Sequence, residues 1–187
     1  MLTHALKEWS VAVDALLAGE TIVLLRKGGI REVGGRFQVD GDRAILYPTY
    51  EHQKPHLLKP EYADRVSPVP SGWHPETVPI GGWADITEVV AVHRPEAVEA
   101  LLPFHIWNDR LASERFRWKP SQPLSVLLLR VYQLRDRTEI PYRSEYGGCR
   151  SWIELKDAIA IDYSTPVLDD REYNCQVQEL RSKIESV

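Results

Sequence analysis

The stretch from Leu2 to Ile30 sets what the rest of the chain must fold around. Its apolar positions Leu2, Leu6, Trp9, Val13, Leu16 and Leu17 recur at steps of three and four, which places them on one stripe of a helix, and Gly19 follows as a C-terminal stop. Thr21 to Leu25 is too short and too uniformly apolar for a second helix and predicts a strand buried on both faces. That strand delivers Arg26 and Lys27 beside Gly28 and Gly29. A guanidinium is a planar, two-pronged donor for phosphate, and a glycine pair lets backbone N–H groups come close, so these four residues form a candidate phosphate site. The competing account pairs Arg26 with a carboxylate at the core edge, such as Glu8, and locks the helix onto the sheet.

The remaining elements follow from punctuation and pattern. Arg31 to Asp42, rich in glycine and charge, reads as a turn region or loop, and Arg43 to Tyr47 as a short strand ended by Pro48. Thr49 to Pro60 is polar and punctuated by proline, a loop across one face, and Pro68, Pro70, Gly72, Pro75 and Pro79 make the next segment irregular. Trp83 to Val92 is a strand, Pro95 opens a helix with Ala97, Val98, Leu101 and Leu102 on its apolar face, and a second helix covers Asn108 to Phe116. Leu124 to Leu134 is the strongest strand, Pro141 closes the turn after it, Trp152 to Leu155 is a further strand, and a C-terminal helix follows Pro166. Strands without regularly alternating crossover helices disfavour a doubly wound sheet. The order predicts an α+β fold, a small and mostly antiparallel β-barrel decorated with helices, with one domain over 1–166 and a helical tail over 167–187.

Composition narrows the partners. With 187 residues and a formal net charge of −4, there is one core and no broad basic surface of the kind that grips duplex nucleic acid without specificity. Any nucleic-acid contact is therefore local, through a patch such as Arg26, Lys27 and Arg31. Cys149 and Cys175 make neither a CxxC pair nor a disulfide framework, and no apolar run spans a bilayer. The expectation is a reduced, cytoplasmic protein with no membrane segment and no resident cofactor.

Four motifs carry a resemblance: ALKEW at Ala5 to Trp9, LLRKGGI at Leu24 to Ile30, YPTYEHQ at Tyr47 to Gln53 and YGGCRSWIEL at Tyr146 to Leu155. With these the chain resembles a bacterial family, seen mainly in cyanobacteria, catalogued as domain of unknown function 1802. More distantly, it is similar to the PUA-like barrels and among them to the ASCH domains, whose opening helix runs into GxKxxExR. Here Gly19 and Arg26 match that pattern, while Thr21 stands in place of its Lys and Leu24 in place of its Glu or, in amidohydrolase members, a nucleophilic Thr. An aliphatic Leu24 supplies neither nucleophile nor base. What the resemblance implies is the barrel, one Arg, and binding of RNA or a modified nucleotide in a cleft between the first helix and the barrel. It also implies that Arg150 and Trp152 meet Arg26 across the barrel mouth.

Other clusters hold weaker chemistry. Glu51, His52 and His56 form either a polar acid–base or metal cluster or a hydrogen-bonded loop; Pro55 keeps the histidines off one helix face, and no third ligand stands at zinc spacing, so no metal is expected. Tyr50, Trp73, Trp83 and Trp152 are candidates to stack on bases, or else core and rim packing. Glu154-Leu155-Lys156 has the Glu-x-Lys spacing of the PD-(D/E)XK nucleases, but Asp136 and Glu139 lie in an expected turn rather than at the upstream acid position. Three readings stand: binding of RNA or a nucleotide-containing ligand, a nuclease or a hydrolase on a modified base, and a protein-interaction module or homo-oligomer docking through the C-terminal helix.

Overall fold

The opening stretch is a strand before it is a helix. The computed structural model describes residues 1–27, 31–33, 36–38, 42–148 and 150–187, with the backbone alone at 31–33 and 36–38. In it β1 (Leu2–Trp9) leads directly into α1 (Ser10–Leu17), so the helical stripe expected from Leu2 onward holds only from Ser10. The reason is tertiary. β1 lies between β5 (Arg43–Thr49), which it pairs in parallel, and β8 (Trp152–Ile159), which it pairs antiparallel, so its backbone groups are satisfied on both edges. Pairing on both sides outweighs a three-and-four spacing that a strand with both faces buried meets by accident.

The other strands are β2 (Val23–Arg26), β6 (Thr77–Val92), β7 (Leu124–Pro141) and the short β9 (Thr165–Pro166). The ladder runs β2-β7-β6-β5-β1-β8, with β9 added against β7. All pairs in this sheet except β1 with β5 are antiparallel. The fold is thus α+β, as expected, but the sheet is not closed: β2 and β8 stand at its ends without pairing to each other among the described residues. Arg31 to Asp42, expected as a loop, contains instead an antiparallel pair, β3 (Arg31–Val33) with β4 (Arg36–Gln38), in which Val33 stands opposite Arg36. Gly34 and Gly35 separate them in sequence, a length and composition that hairpins favour.

Proline ends fewer strands than the sequence suggests. Pro48 and Pro79 lie inside β5 and β6, and Pro141 is the last residue of β7, so Asp136 and Glu139 sit on a strand rather than in a turn. Pro79 is tolerated next to the register shift between Ile80 and Gly82, where ladder hydrogen bonding is already interrupted. At that shift only glycine fits: a Cβ on Gly82 would stand 2.4 Å from the Tyr132 carbonyl oxygen and 2.5 Å from Leu17 Cδ2.

Alternate residues of the central strands feed two separate cores. Leu6, Leu46 and Ala84 face the first, together with Leu16 of α1 and Leu127 of β7, whereas Ala5, Ile45 and Trp83 face the second with Ile80 and Ile153. Each fully buried Leu or Ile contributes roughly 1.5–3 kcal/mol. Short helices close the first core: α2 (Pro60–Ala63), α3 (Pro95–Ala100) and α4 (Asp109–Arg117), the last capped by the Asn108 side chain, which accepts from the Leu111 N–H at 3.1 Å. The expected C-terminal helix is α5 (Asp170–Glu185), and it buries Tyr173 and Leu180 against that same core. Asp169 and Glu172 form a capping box at its start, and Arg130 donates to the Asp169 carbonyl and the Asp170 carboxylate. No helix among the described residues is long and apolar enough to cross a membrane.

Candidate functional site

A cleft of about 340 Å³ opens where β1, β2 and β5 end. Strand β1 supplies Lys7, Glu8 and Trp9, β2 supplies Arg26, and β5 supplies Tyr47 to Thr49. Residues 50–52 and 73–75, Val78, Tyr142, Tyr146 to Gly148, Arg150, Ser151 and the side chain of Arg115 on α4 add to the lining. Helix α1 contributes none of it, so the cleft lies among strand ends rather than between the first helix and the sheet.

The floor is a buried ion pair. Arg26 Nη2 stands 2.9 Å from Glu8 Oε2 and donates to the Lys7 carbonyl at 2.8 Å, while Glu8 Oε1 accepts the Trp9 N–H. The lock foreseen between Arg26 and Glu8 therefore exists, but it joins two strands. Lys7 Nζ donates to the carbonyls of Tyr146 and Gly148, holding the 146–148 loop against β1. Arg115 donates to the Leu25 carbonyl at 2.8 Å; burial pulls its pKa down, Glu8 pulls it up, and Arg26 adds a smaller downward push. The Tyr47 hydroxyl is buried at this floor with no hydrogen-bond partner among the described residues, and burial raises its pKa above the ordinary phenol value.

The walls are aromatic. Tyr50 and Trp73 meet edge to face at 6.0 Å, and His74 stacks on Tyr142 with centroids 3.6 Å apart and planes 12° from parallel. Trp73 is 43% exposed, an uncommon position for so large an apolar surface. Glu51 sets this wall in place: its Oε1 accepts from the Gly72 N–H and the Ser71 hydroxyl, and His52 Nε2 lies 3.2 Å from the same oxygen. Four cations, Lys7, Arg26, Arg115 and Arg150, face two carboxylates, Glu8 and Glu51, across the lining.

Of the residues singled out in the sequence, Arg26, Arg150, Tyr50, Trp73, Glu8, Glu51 and His52 come together here. Lys27 does not. It is buried, donates from Nζ to the Phe116 carbonyl at 2.7 Å and lies over the Phe116 ring, because the chain just past the end of β2 keeps the alternation and sends it to the opposite side from Arg26. Trp83 faces the second core, stacked on Tyr132 at 4.2 Å with its Nε1 donating to Ser164. Trp152 lies beside the cleft, stacked with His4. His56 is held elsewhere, its carbonyl accepting from Asn108 Nδ2. Gly28, Gly29 and the side chain of Arg31 lie outside the described residues, as does Cys149. Glu154 is the third residue of β8 and pairs with His4 at 2.7 Å, and Lys156 lies 3.8 Å from Glu145. Among the described residues no three His, Cys, Asp or Glu side chains gather as a metal-holding group. Sequence reasoning missed Lys7, Tyr47, His74, Arg115, Tyr142 and Tyr146 as lining residues, since the strand pairings and loop contacts that gather them join segments far apart in sequence.

Fold and site together define an α+β protein whose mostly antiparallel sheet carries a polar, aromatic-walled cleft at its strand ends. The chain belongs to the family described as Domain of unknown function (DUF1802), whose model matches residues 5–179. No curated protein matches the sequence. Among solved structures it is similar to ASCH from Zymomonas mobilis, at 14% identity and a TM-score of 0.44 over 96% of this chain and 93% of that one. A crystal structure of a mutant of the Zymomonas mobilis ASCH protein gives 12% identity and a TM-score of 0.45 over 94% of this chain and 96% of that one. All four motifs singled out in the sequence reach the cleft, through Lys7 and Glu8, Arg26, Tyr47 to His52, and Tyr146, Gly147, Gly148 and Arg150.

Proposed function

We propose that the cleft binds a nucleotide-containing ligand, RNA or a free nucleotide, with the base against the Trp73, Tyr50 and His74 rings and the phosphate at Arg150. The observation that carries this reading is the meeting of exposed aromatic faces and unbalanced positive charge in one recess of about 340 Å³. Aromatic faces take bases by stacking whatever their identity, and guanidinium groups take phosphate. Arg26 is committed to Glu8 and the Lys7 carbonyl, so it sets the potential of the floor while Arg150, at the exposed rim, makes the contact.

The test is anisotropy of short labelled single-stranded RNAs, at low and physiological salt, with nucleoside monophosphates as competitors. Trp73→Ala is expected to weaken binding by about 5- to 100-fold, the worth of one stacked base. Arg150→Ala is expected to lessen the dependence of log affinity on log salt by about 0.7, the contribution of one phosphate contact on a single strand. Flat titrations at every salt, with no effect of the monophosphates, overturn the reading.

A further inference from the structure

Arg150 borders a second recess. Next to the cleft lies an open depression of about 490 Å³, lined by Arg150, His4, Trp152, Glu154 and Lys156 among others. It has an aromatic wall in which the His4 and Trp152 rings stack on each other, with centroids 5.1 Å apart and planes 8° from parallel. The wall is fixed. His4 Nδ1 sits 2.7 Å from Glu154 Oε1, and Trp152 packs its inner side against the first core. His4 Nε2 is buried and has no hydrogen-bond partner among the described residues. Arg150 is exposed, and among the described residues its one hydrogen bond runs from Nη2 to the Glu145 carbonyl at 2.9 Å. A guanidinium carries five N–H donors, so most of the fork is available to a ligand.

We propose that the cleft and this depression are consecutive base sites on one single-stranded nucleic acid, with the linking phosphate held by Arg150. The inference rests on the nucleotide reading of the cleft and extends it: the ligand is an oligonucleotide of at least two residues. One base stacks in the cleft against Trp73, and the next on the His4 and Trp152 wall. Arg150 lines both recesses, so a phosphate held there has a base site on either side of it. The other charges of the depression are partnered, Glu154 with His4 and Lys156 with Glu145, whereas Arg150 makes no ion pair among the described residues. A duplex, whose bases already stack on each other, cannot offer two faces in this way.

The experiment compares ribonucleoside monophosphates with dinucleoside monophosphates, which also carry a single phosphate, by calorimetry on the full chain. The dinucleoside compounds are expected to bind about 5- to 100-fold more tightly. Trp152→Ala is expected to erase that gain while keeping the parental affinity for monophosphates, which also shows that the variant is folded, and Trp152→Phe to keep most of it. Equal affinity for both ligand lengths, or a gain that survives Trp152→Ala, overturns the second site. If monophosphates bind in a Trp73-dependent way without any gain on lengthening, only this inference falls; if neither ligand binds, the reading of the cleft falls with it.

Discussion

The Glu51 carboxylate accepts the backbone N–H of Gly72 at 2.5 Å, tying the loop after β5 to the loop that carries Trp73. Gly72 sits at a φ of +81°, where a side chain would strain the backbone, so its amide points at Glu51 at little cost. The bond from Gly72, aided by Ser71 and by His52, holds the Glu51 carboxyl below its ordinary pKa of 4.5. A depressed carboxylate supports the tether fully above the ordinary value and loses it as pH falls through the depressed one. Trp73 is therefore expected to loosen only in acid below about pH 4.5. Glu51→Ala should reproduce that loosening at neutral pH, read as faster amide exchange at Gly72 and Trp73 with an unchanged melting temperature.

Glu8 is 4% exposed and faces Arg26 with Arg115 close behind, so its removal strands two cations at the cleft floor. Breaking a buried pair from one side costs about 3–5 kcal/mol. Glu8→Ala is expected to lower unfolding free energy by that order in urea titrations. The double variant Glu8→Ala/Arg26→Ala should recover part of the loss, and additive losses would show that the two side chains are not coupled.

His105 is 1% exposed in the first core region between α3 and α4, and burial, with the charge of Lys59 second, pushes its pKa down to about 4. The folded state therefore resists protonating a group that the unfolded chain protonates near its ordinary value of 6.5. Its stabilising effect is complete above that ordinary value and declines as pH falls from there toward the folded value, a total on the order of 3 kcal/mol. Thermal melts of the parent should fall between pH 7 and pH 4.5, and His105→Phe should flatten that decline.

What the sequence made legible divides along physical lines. The strands at Leu124 and Trp83, the helices opened by Pro95 and Asn108 and the terminal helix follow from local pattern and capping, and each is present, though β6 runs through Pro79 and β7 extends to Pro141. The Leu2 to Trp9 segment misled because its identity as a strand is decided by partners at Ile45 and Ile153, which no local window contains. Within the cleft, Arg26, Glu8 and Tyr50 were visible as chemistry near one another in kind. Lys27 was not separable from Arg26 until the alternation of β2 was known, and Tyr142 and His74 became a stacked pair only through the pairing of β6 with β7.

The placement of β1 between β5 and β8 also has a consequence in time. During synthesis β1 leaves the ribosome before both strands it pairs with, and the one that covers its second edge ends at Ile159. Until then the growing chain carries a strand of the future sheet interior as an open edge, the kind that pairs readily with other chains. Completion of the fold waits on a contact between Leu2 and Ile159, a closure across most of the chain. Such distant pairing makes for slow folding, so the cleft at the end of β1 is among the last features of the molecule to exist.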